Sequence, residues 1–472
     1  MRRMKVTQVA ICPSEGSKKA GRPALTPELL AACGARYSRN SEGLDSILSK
    51  VDPQNLEKSV DSIFRMIDYG HQSIADMVPL AMFIDGISIW LAYYIWTLCP
   101  TAGGQESSTR YIKISDEGLI PPDLLGIPAP KVSEWRELMR QCFKAYQASL
   151  TVWEDLARER PCLMGIPQSL RDDASEAAQK KAARMKRNYA FDRARYLLPV
   201  GAATNVMLVM SARGWVSLCQ FLLSHPLPEP QRLGELIRRE LELPAPRMLK
   251  YARRTETHQA SLADEFQDLV RLAGAKPATP DFPVTGSDSA KPFLSVMLPE
   301  GTSAEQITKS LAHHANRYAP VANCLQRTAV RFGWSAIGFA EIRDLNRHRT
   351  GVKYCPQVPR GFYFALEQVP AEAAGHRGRL LQHAAIGQAA TAKALGLLRE
   401  AEPAYVYWSL LGTEYPFEHT TTADKFIYEA ELRTGLGAHY RYAQHLRDVL
   451  ALWYARFPGT KGLILEGSAE PE

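Results

Sequence analysis

The chain has 472 residues, 46% of them hydrophobic and 23% charged, with a formal net charge of +7. That composition excludes a disordered chain, and the length exceeds one ordinary domain, so two domains of about 200 residues each are expected. The positive balance suits an anionic ligand, from a mononucleotide up to a nucleic acid, and is modest for the latter.

In chain order, the first residues are basic and then briefly apolar, without the sustained apolar core of a secretion signal. From Thr26 to about Leu98 the spacing predicts helices, opening at Thr26-Pro27-Glu28. The apolar stretch Gly86 to Cys99 predicts a buried helix, too short for the roughly 20 residues of a membrane span. Residues 134–195 again predict helix and carry a basic run, Lys180, Lys181, Arg184, Lys186 and Arg187, whose plainest reading is a solvated face. Lys276 to Lys291, rich in Pro, Thr, Ser and Gly, predicts a linker between domains at 1–275 and 292–472. Beyond it, Glu305 to about Arg349, Ala371 to Glu400 and Asp424 to Phe457 are expected to be helical, and Glu466 to Glu472 to fray. The eight cysteines form no CxxC pair, which argues against a metal cluster or disulfide framework and suits a reducing cytoplasm. No metal is expected.

The two halves can be laid on each other. Pro79 to Pro100 and Thr328 to Arg349 are equal in length, and each places a Gly- or Ser-containing break before a long helix. The stretch from Pro199 resembles that from Leu411, with Gly201 matching Gly412 and Ser211-Ala212-Arg213 matching Thr422-Ala423-Asp424.

Three clusters carry chemistry. Arg347-His348-Arg349 concentrates cations at the end of an apolar-periodic helix and could clamp a phosphate or an electron-rich ring; alternatively it is a surface turn paired with Asp344 or Glu341. Gln105 to Tyr111 (QESSTRY) sets hydroxyls beside an arginine, as a phosphate-holding loop or a capped polar loop would. His71, in Gly70-His71-Gln72-Ser73, is either a hydrogen-bonding structural histidine or a ligand. Nothing positions a base beside Cys99 or Cys355, which are expected to be buried thiols.

Taken together, Gly70-His71-Gln72-Ser73, Glu106 to Tyr111, Ala194-Arg195-Tyr196-Leu197-Leu198-Pro199, Arg347-His348-Arg349 and Leu432-Arg433 with Ala438-His439 resemble the motifs of the flavin-dependent thymidylate synthases. The resemblance covers most of the chain only if both halves count. It departs where Leu98-Cys99-Pro100 stands in place of the cationic triplet in the first half. It departs again at Gln357 to Tyr363, where only Arg360 and an aromatic answer the Ser-x-Arg-Tyr loop, and at Leu222 to His225, which lacks the late Leu-Arg. The resemblance implies two tandem α+β domains, each a sheet flanked by long helices, forming a pseudo-dimer with one complete composite site. It assigns flavin-clamping to Arg347, His348 and Arg349, with His71 and His439 near the cofactor. Uridine-nucleotide binding would fall to Glu106, Ser108, Arg110, Arg195 and Arg433, and Ser108, Arg110 and Arg349 would carry the catalytic role. The implied reaction is C5 methylation of a uridine nucleotide, dUMP by default. FAD would be the cofactor, methylenetetrahydrofolate and NAD(P)H the co-substrates, and a homodimer the functional form. The same flavin chemistry on another nucleotide or one-carbon donor, or a non-catalytic nucleotide- or folate-binding relative, is the alternative. Nucleic acid is not the expected partner, because the basic run lacks interleaved aromatics.

Overall fold

The computed structural model describes residues 3–38, 43–52, 55–68, 72–110, 114–275, 284–285, 290–435 and 437–467. Packing divides the chain into two units. The first gathers Met1–Ser107, Glu117–Ala129 and Gly201–Gln267; the second gathers Ser108–Asp116, Pro130–Val200 and Asp268–Glu472. The expected linker lies almost wholly outside the described residues.

The first unit contains β1 (Lys5–Val9), β2 (Pro79–Ser88), β3 (Gly103–Glu106) and β4 (Ala203–Ser211) in an antiparallel sheet of order β1-β2-β4-β3. The helical expectation over 26–98 therefore fails at Pro79–Ser88. A short apolar run has no periodicity that separates strand from helix. What decides it here is pairing on both sides, with β1 and β4. Gly86 sits at φ +67 with its N–H donated to Asn205 Oδ1 (3.1 Å), at the step where β2 shifts register between Ile84 and Ile87. A side chain there would press on the Arg3 backbone at 3.1 Å, besides demanding a conformation that favours glycine. The strand then ends at Ser88, whose hydroxyl accepts from Leu91 N (2.9 Å) and starts the buried helix Ile89–Leu98.

The second unit contains β5 (Val284–Thr285), β6 (Pro292–Met297), β7 (Ala329–Gly338), β8 (Val352–Tyr354), β9 (Gly361–Tyr363) and β10 (Thr413–Thr422). Its order is β5-β9-β10-β7-β6, with β8 also on β10; all pairs are antiparallel except β5 with β9. The helical expectation for 305–349 likewise fails at β7, for the same reason as at β2. Helices Ala374–Arg399, Ala423–Thr434 and Tyr440–Arg456 stand where periodicity placed them. The stretch 134–195 forms two long helices, Val132–Glu159 and Glu176–Ala194, parted by Pro161, a left-handed Gly165, Pro167 and the short helix Gln168–Asp172. The architecture is thus mixed α+β with two sheets flanked by helices. Among the described residues no helix is long and apolar enough to cross a membrane.

Both sheets follow one pairing frame. Leu80↔Met210 answers to Val330↔Thr421, Ile84↔Val206 to Trp334↔Phe417, and Ile87↔Thr204 to Ile337↔Tyr415, so even the register shift falls at corresponding positions. The correspondence of Ser211-Ala212-Arg213 with Thr422-Ala423-Asp424 holds in that frame. The first-half counterpart of Arg347-His348-Arg349, carried along from β2 and β7, becomes Thr97-Leu98-Cys99, one residue earlier than the sequence alone suggested.

Candidate active site

The second unit brings together motif residues from distant parts of the chain. Asp344, in the helix Phe339–Leu345 that follows β7, is the hub. Its Oδ2 accepts from Arg195 Nη2 (3.0 Å), its carbonyl accepts from Arg433 Nη2 (3.1 Å), and Arg347 Nη2 lies 3.8 Å from Oδ1. Burial alone would raise the Asp344 pKa, but Arg195, then Arg347 and Arg433, hold it well below the usual carboxylate range. Arg195 is 1% exposed. Burial works against its charge, yet Asp344 and the neighbouring anionic groups hold it more firmly protonated than usual.

Glu341, one turn earlier on the same helix, accepts from the Tyr196 hydroxyl (2.7 Å) and lies 3.8 Å from Arg195. Burial pushes its pKa up to about 7, against the pull of Arg195 and Arg441. His348 is pushed down to about 3 by burial, so it is neutral at pH 7, and its Nε2 accepts from Arg433 Nε (2.8 Å). Behind it, His419 Nε2 donates to the Thr350 carbonyl (2.7 Å) and Nδ1 stands 3.0 Å from Glu429.

Arg110 enters the same region from the polar loop. It grips Asp192 with Nε and Nη2 (2.7 and 3.0 Å), and Nη2 also reaches the Gly437 carbonyl (3.0 Å). Such a two-point pairing fixes the plane of the guanidinium. Ser108 Oγ accepts from Arg110 N (3.2 Å), a local turn that braces the loop. His439 caps the helix Tyr440–Arg456, accepting from Arg441 N at Nδ1 (3.2 Å) and donating from Nε2 to the Asp192 carbonyl (3.1 Å). Burial holds it neutral.

The expected site residues thus divide. Ser108, Arg110, Arg195, Arg347, His348, Arg349, Arg433 and His439 all belong to the second unit. Glu106 closes β3 in the first unit. His71 and Tyr111 lie outside the described residues. The triplet is not a surface turn: His348 is buried and the arginines beside it are half-buried, although Asp344 is a neighbour as that reading required. Cys99 is buried as expected, whereas Cys355 is half-buried. The sequence reading missed Asp192, Glu429 and His419, and treated Glu341 and Asp344 only as partners of a surface turn. Charged residues inside an otherwise apolar helix, FAEIRDL, were the available signal.

Comparison with known proteins bears on the class. Residues 24–247 match the family model described as thymidylate synthase complementing protein; the Arg347 triplet lies beyond that match. The chain is 26% identical over 334 residues to the UPF0159 protein Ta1429 of Thermoplasma acidophilum, covering 67% of this chain. It spans 64% of that relative's length. Among solved structures it is similar, at 14% identity and a TM-score of 0.33, to the UMP/dUMP methylase PolB from Streptomyces cacaoi bound with 5-Br dUMP. That likeness covers 53% of this chain and 95% of the other. Over residues 24–247, just under half of the chain, the protein is thus similar to the thymidylate synthase complementing proteins.

Proposed function

We propose that the chain is an FAD-dependent enzyme that methylates C5 of a uridine nucleotide, most concretely dUMP to dTMP, with methylenetetrahydrofolate and NAD(P)H as co-substrates. The observation that carries this reading is the convergence of Arg110, Arg195, Arg347, His348 and Arg433 on Asp344 and Asp192 within one unit. These residues come from both halves of the sequence, as a composite site from a duplicated ancestor requires. Duplication is supported by the shared strand frame and by a reciprocal contact. Val200 N donates to Ser409 O (3.2 Å) while Leu411 N donates to Leu198 O (2.9 Å), around the bridge Pro199↔Leu410. In the strand frame these residues are each other's counterparts, and exchange of bonds between equivalent residues is the mark of a two-fold contact.

The residues fit a flavin. The Arg347 side chain is part exposed, and its buried Nε lacks a hydrogen-bond partner among the described residues, the kind of donor an anionic group satisfies. Arg347, His348 and Arg349 would hold the cofactor, which when bound supplies the redox chemistry. The protein's own contribution is orientation and charge: Asp192 fixes the Arg110 guanidinium, and Asp344 fixes Arg195. Arginines aimed at a uracil carbonyl stabilise negative charge that develops there, and more strongly in a buried site than in water. A cysteine nucleophile is not needed. Burial pushes Cys142 and Cys219 up to about 12, which leaves both thiols protonated at neutral pH.

The test is the visible spectrum of the purified protein titrated with FAD and then dUMP. A bound-flavin spectrum that shifts with the nucleotide, and is lost in both Arg347→Ala and Arg110→Ala, is expected. No flavin binding at excess FAD, or an enzyme unharmed by either change, overturns the reading. We further propose a homodimer as the working form, which light scattering of a strict monomer would exclude.

A further inference from the structure

The basic run on the helix Glu176–Ala194 is not explained by the proposed reaction. Two of its members line cavities. A small cavity of about 110 Å³ is walled by Arg110, Asp192, Arg193 and Gly437, and by Arg184 from the run. A larger one of about 1120 Å³ lies further toward the start of the same helix, walled by Lys186, Ala183, Met164, Leu170 and Ile166. Met164 borders both, so the two form successive compartments along one helix. The small compartment has room for a phosphate group and little else, since a water takes about 30 Å³.

Charge says what the larger compartment suits. Lys180 is tied to Glu176, but among the described residues no carboxylate pairs with Arg184 or Lys186. Of the larger cavity's acids, Asp173 accepts from Ser175 N (2.8 Å) and Asp172 accepts from Gln168 Nε2 (2.6 Å), while Glu154 stands on the helix across from the run. An uncommitted cation therefore lines each compartment: Arg184 the phosphate-sized space and Lys186 the roomy, largely apolar-walled one.

We infer that the chain binds uridine nucleotides extended beyond the 5′-phosphate, a nucleoside diphosphate or its ester, with the second phosphate at Lys186 and the appended group past Met164. This rests on the nucleotide reading of Arg110 given above. Calorimetric titration of the full chain with UMP, UDP and UDP-glucose tests it. UDP should bind about tenfold tighter than UMP. Lys186→Ala should remove that advantage and leave UMP unchanged. Arg187→Ala, an equal loss of charge at a residue lining neither cavity, should leave both affinities as they are. Met164→Trp, which narrows the passage, should abolish UDP-glucose binding while sparing UMP. UMP binding with no gain for UDP, or equal losses in Lys186→Ala and Arg187→Ala, overturns the inference and leaves the nucleotide reading intact. If none of the three binds, both fall together.

Discussion

The helix after β2 and the helix after β7 begin at corresponding points of one strand frame and are both buried, yet their contents differ in kind. Ile89–Leu98 is IWLAYYIWTL, whereas Phe339–Leu345 is FAEIRDL. Carried along the frame, Leu91 stands where Glu341 stands, and Tyr94 where Asp344 stands. The first helix gains stability from apolar burial, about 1.5–3 kcal/mol for each large side chain. The second buries ionised groups, each of which costs several kcal/mol to desolvate before pairing offsets it. A fold that tolerates Leu at this position has no structural need of Glu. The charged version is kept at the expense of stability, which is the usual signature of a working site.

The largest effect should come from breaking that network. Arg195→Ala leaves Asp344 and Glu341 buried beside a missing cation and should cost about 3–5 kcal/mol in urea unfolding, with loss of nucleotide binding. Arg195→Met with Asp344→Leu should recover most of the stability while binding stays lost. If the double variant is as unstable as the single one, the cost lies in packing and the contrast with the first unit collapses.

Next comes a pH effect that the apolar helix cannot have. The folded protein raises Glu341 from 4.5 to about 7, so between those values the native state binds more protons than the unfolded chain. Stability from this group therefore falls as pH rises through that window and is level above it. The cost is of order 3 kcal/mol, from about 1.4 kcal/mol per unit. His348, pushed down to about 3, works in the opposite direction below pH 6.5. The clean readout is thus wild type against Glu341→Gln at pH 4.5 and 7.5, where the His348 contribution cancels. An unchanged difference between the two proteins at both pH values would show that Glu341 keeps its ordinary pKa.

How far the sequence carried this picture follows from the same contrast. Arg110, Arg195, Arg433 and the Arg347 triplet could be picked out as candidates because they sit in stretches that resemble the motifs of a known family. The helices with clear three-to-four periodicity were legible too. The strands at Pro79–Ser88 and Ala329–Gly338 were not, since both read as apolar stretches running into buried helices and their pairing partners lie between 32 and 132 positions away. Asp192 was missed because its partner is not the neighbouring Arg195, three residues on, but Arg110, 82 positions back. Local rules on helix pairs favour the wrong arginine. Nor could spacing show that Asp344 serves several arginines at once, because that depends on how the carboxylate is aimed after folding.

The smallest effect tests the caps that open the two helices. Ser88 caps the first with its hydroxyl and is itself held by Glu229, which accepts from both its N–H and its hydroxyl (2.7 Å each). Ser88→Ala should cost about 1 kcal/mol, within the 0.5–2 range of lost N-caps. The corresponding residue, Gly338, has no side chain to cap with, and a serine there would ordinarily change stability by a few tenths of a kcal/mol in the favourable direction. Here the sign should reverse, because a Cβ at Gly338 would stand 2.5 Å from Glu341 Oε2. Glu341 thus fixes a glycine three residues before it as well as the charge of the site. Gly338→Ser should destabilise in thermal unfolding, and adding Glu341→Ala should turn the serine into a net gain. A Gly338→Ser protein more stable than its parent would mean that the carboxylate yields easily, and that the network around it is looser than its hydrogen bonds imply.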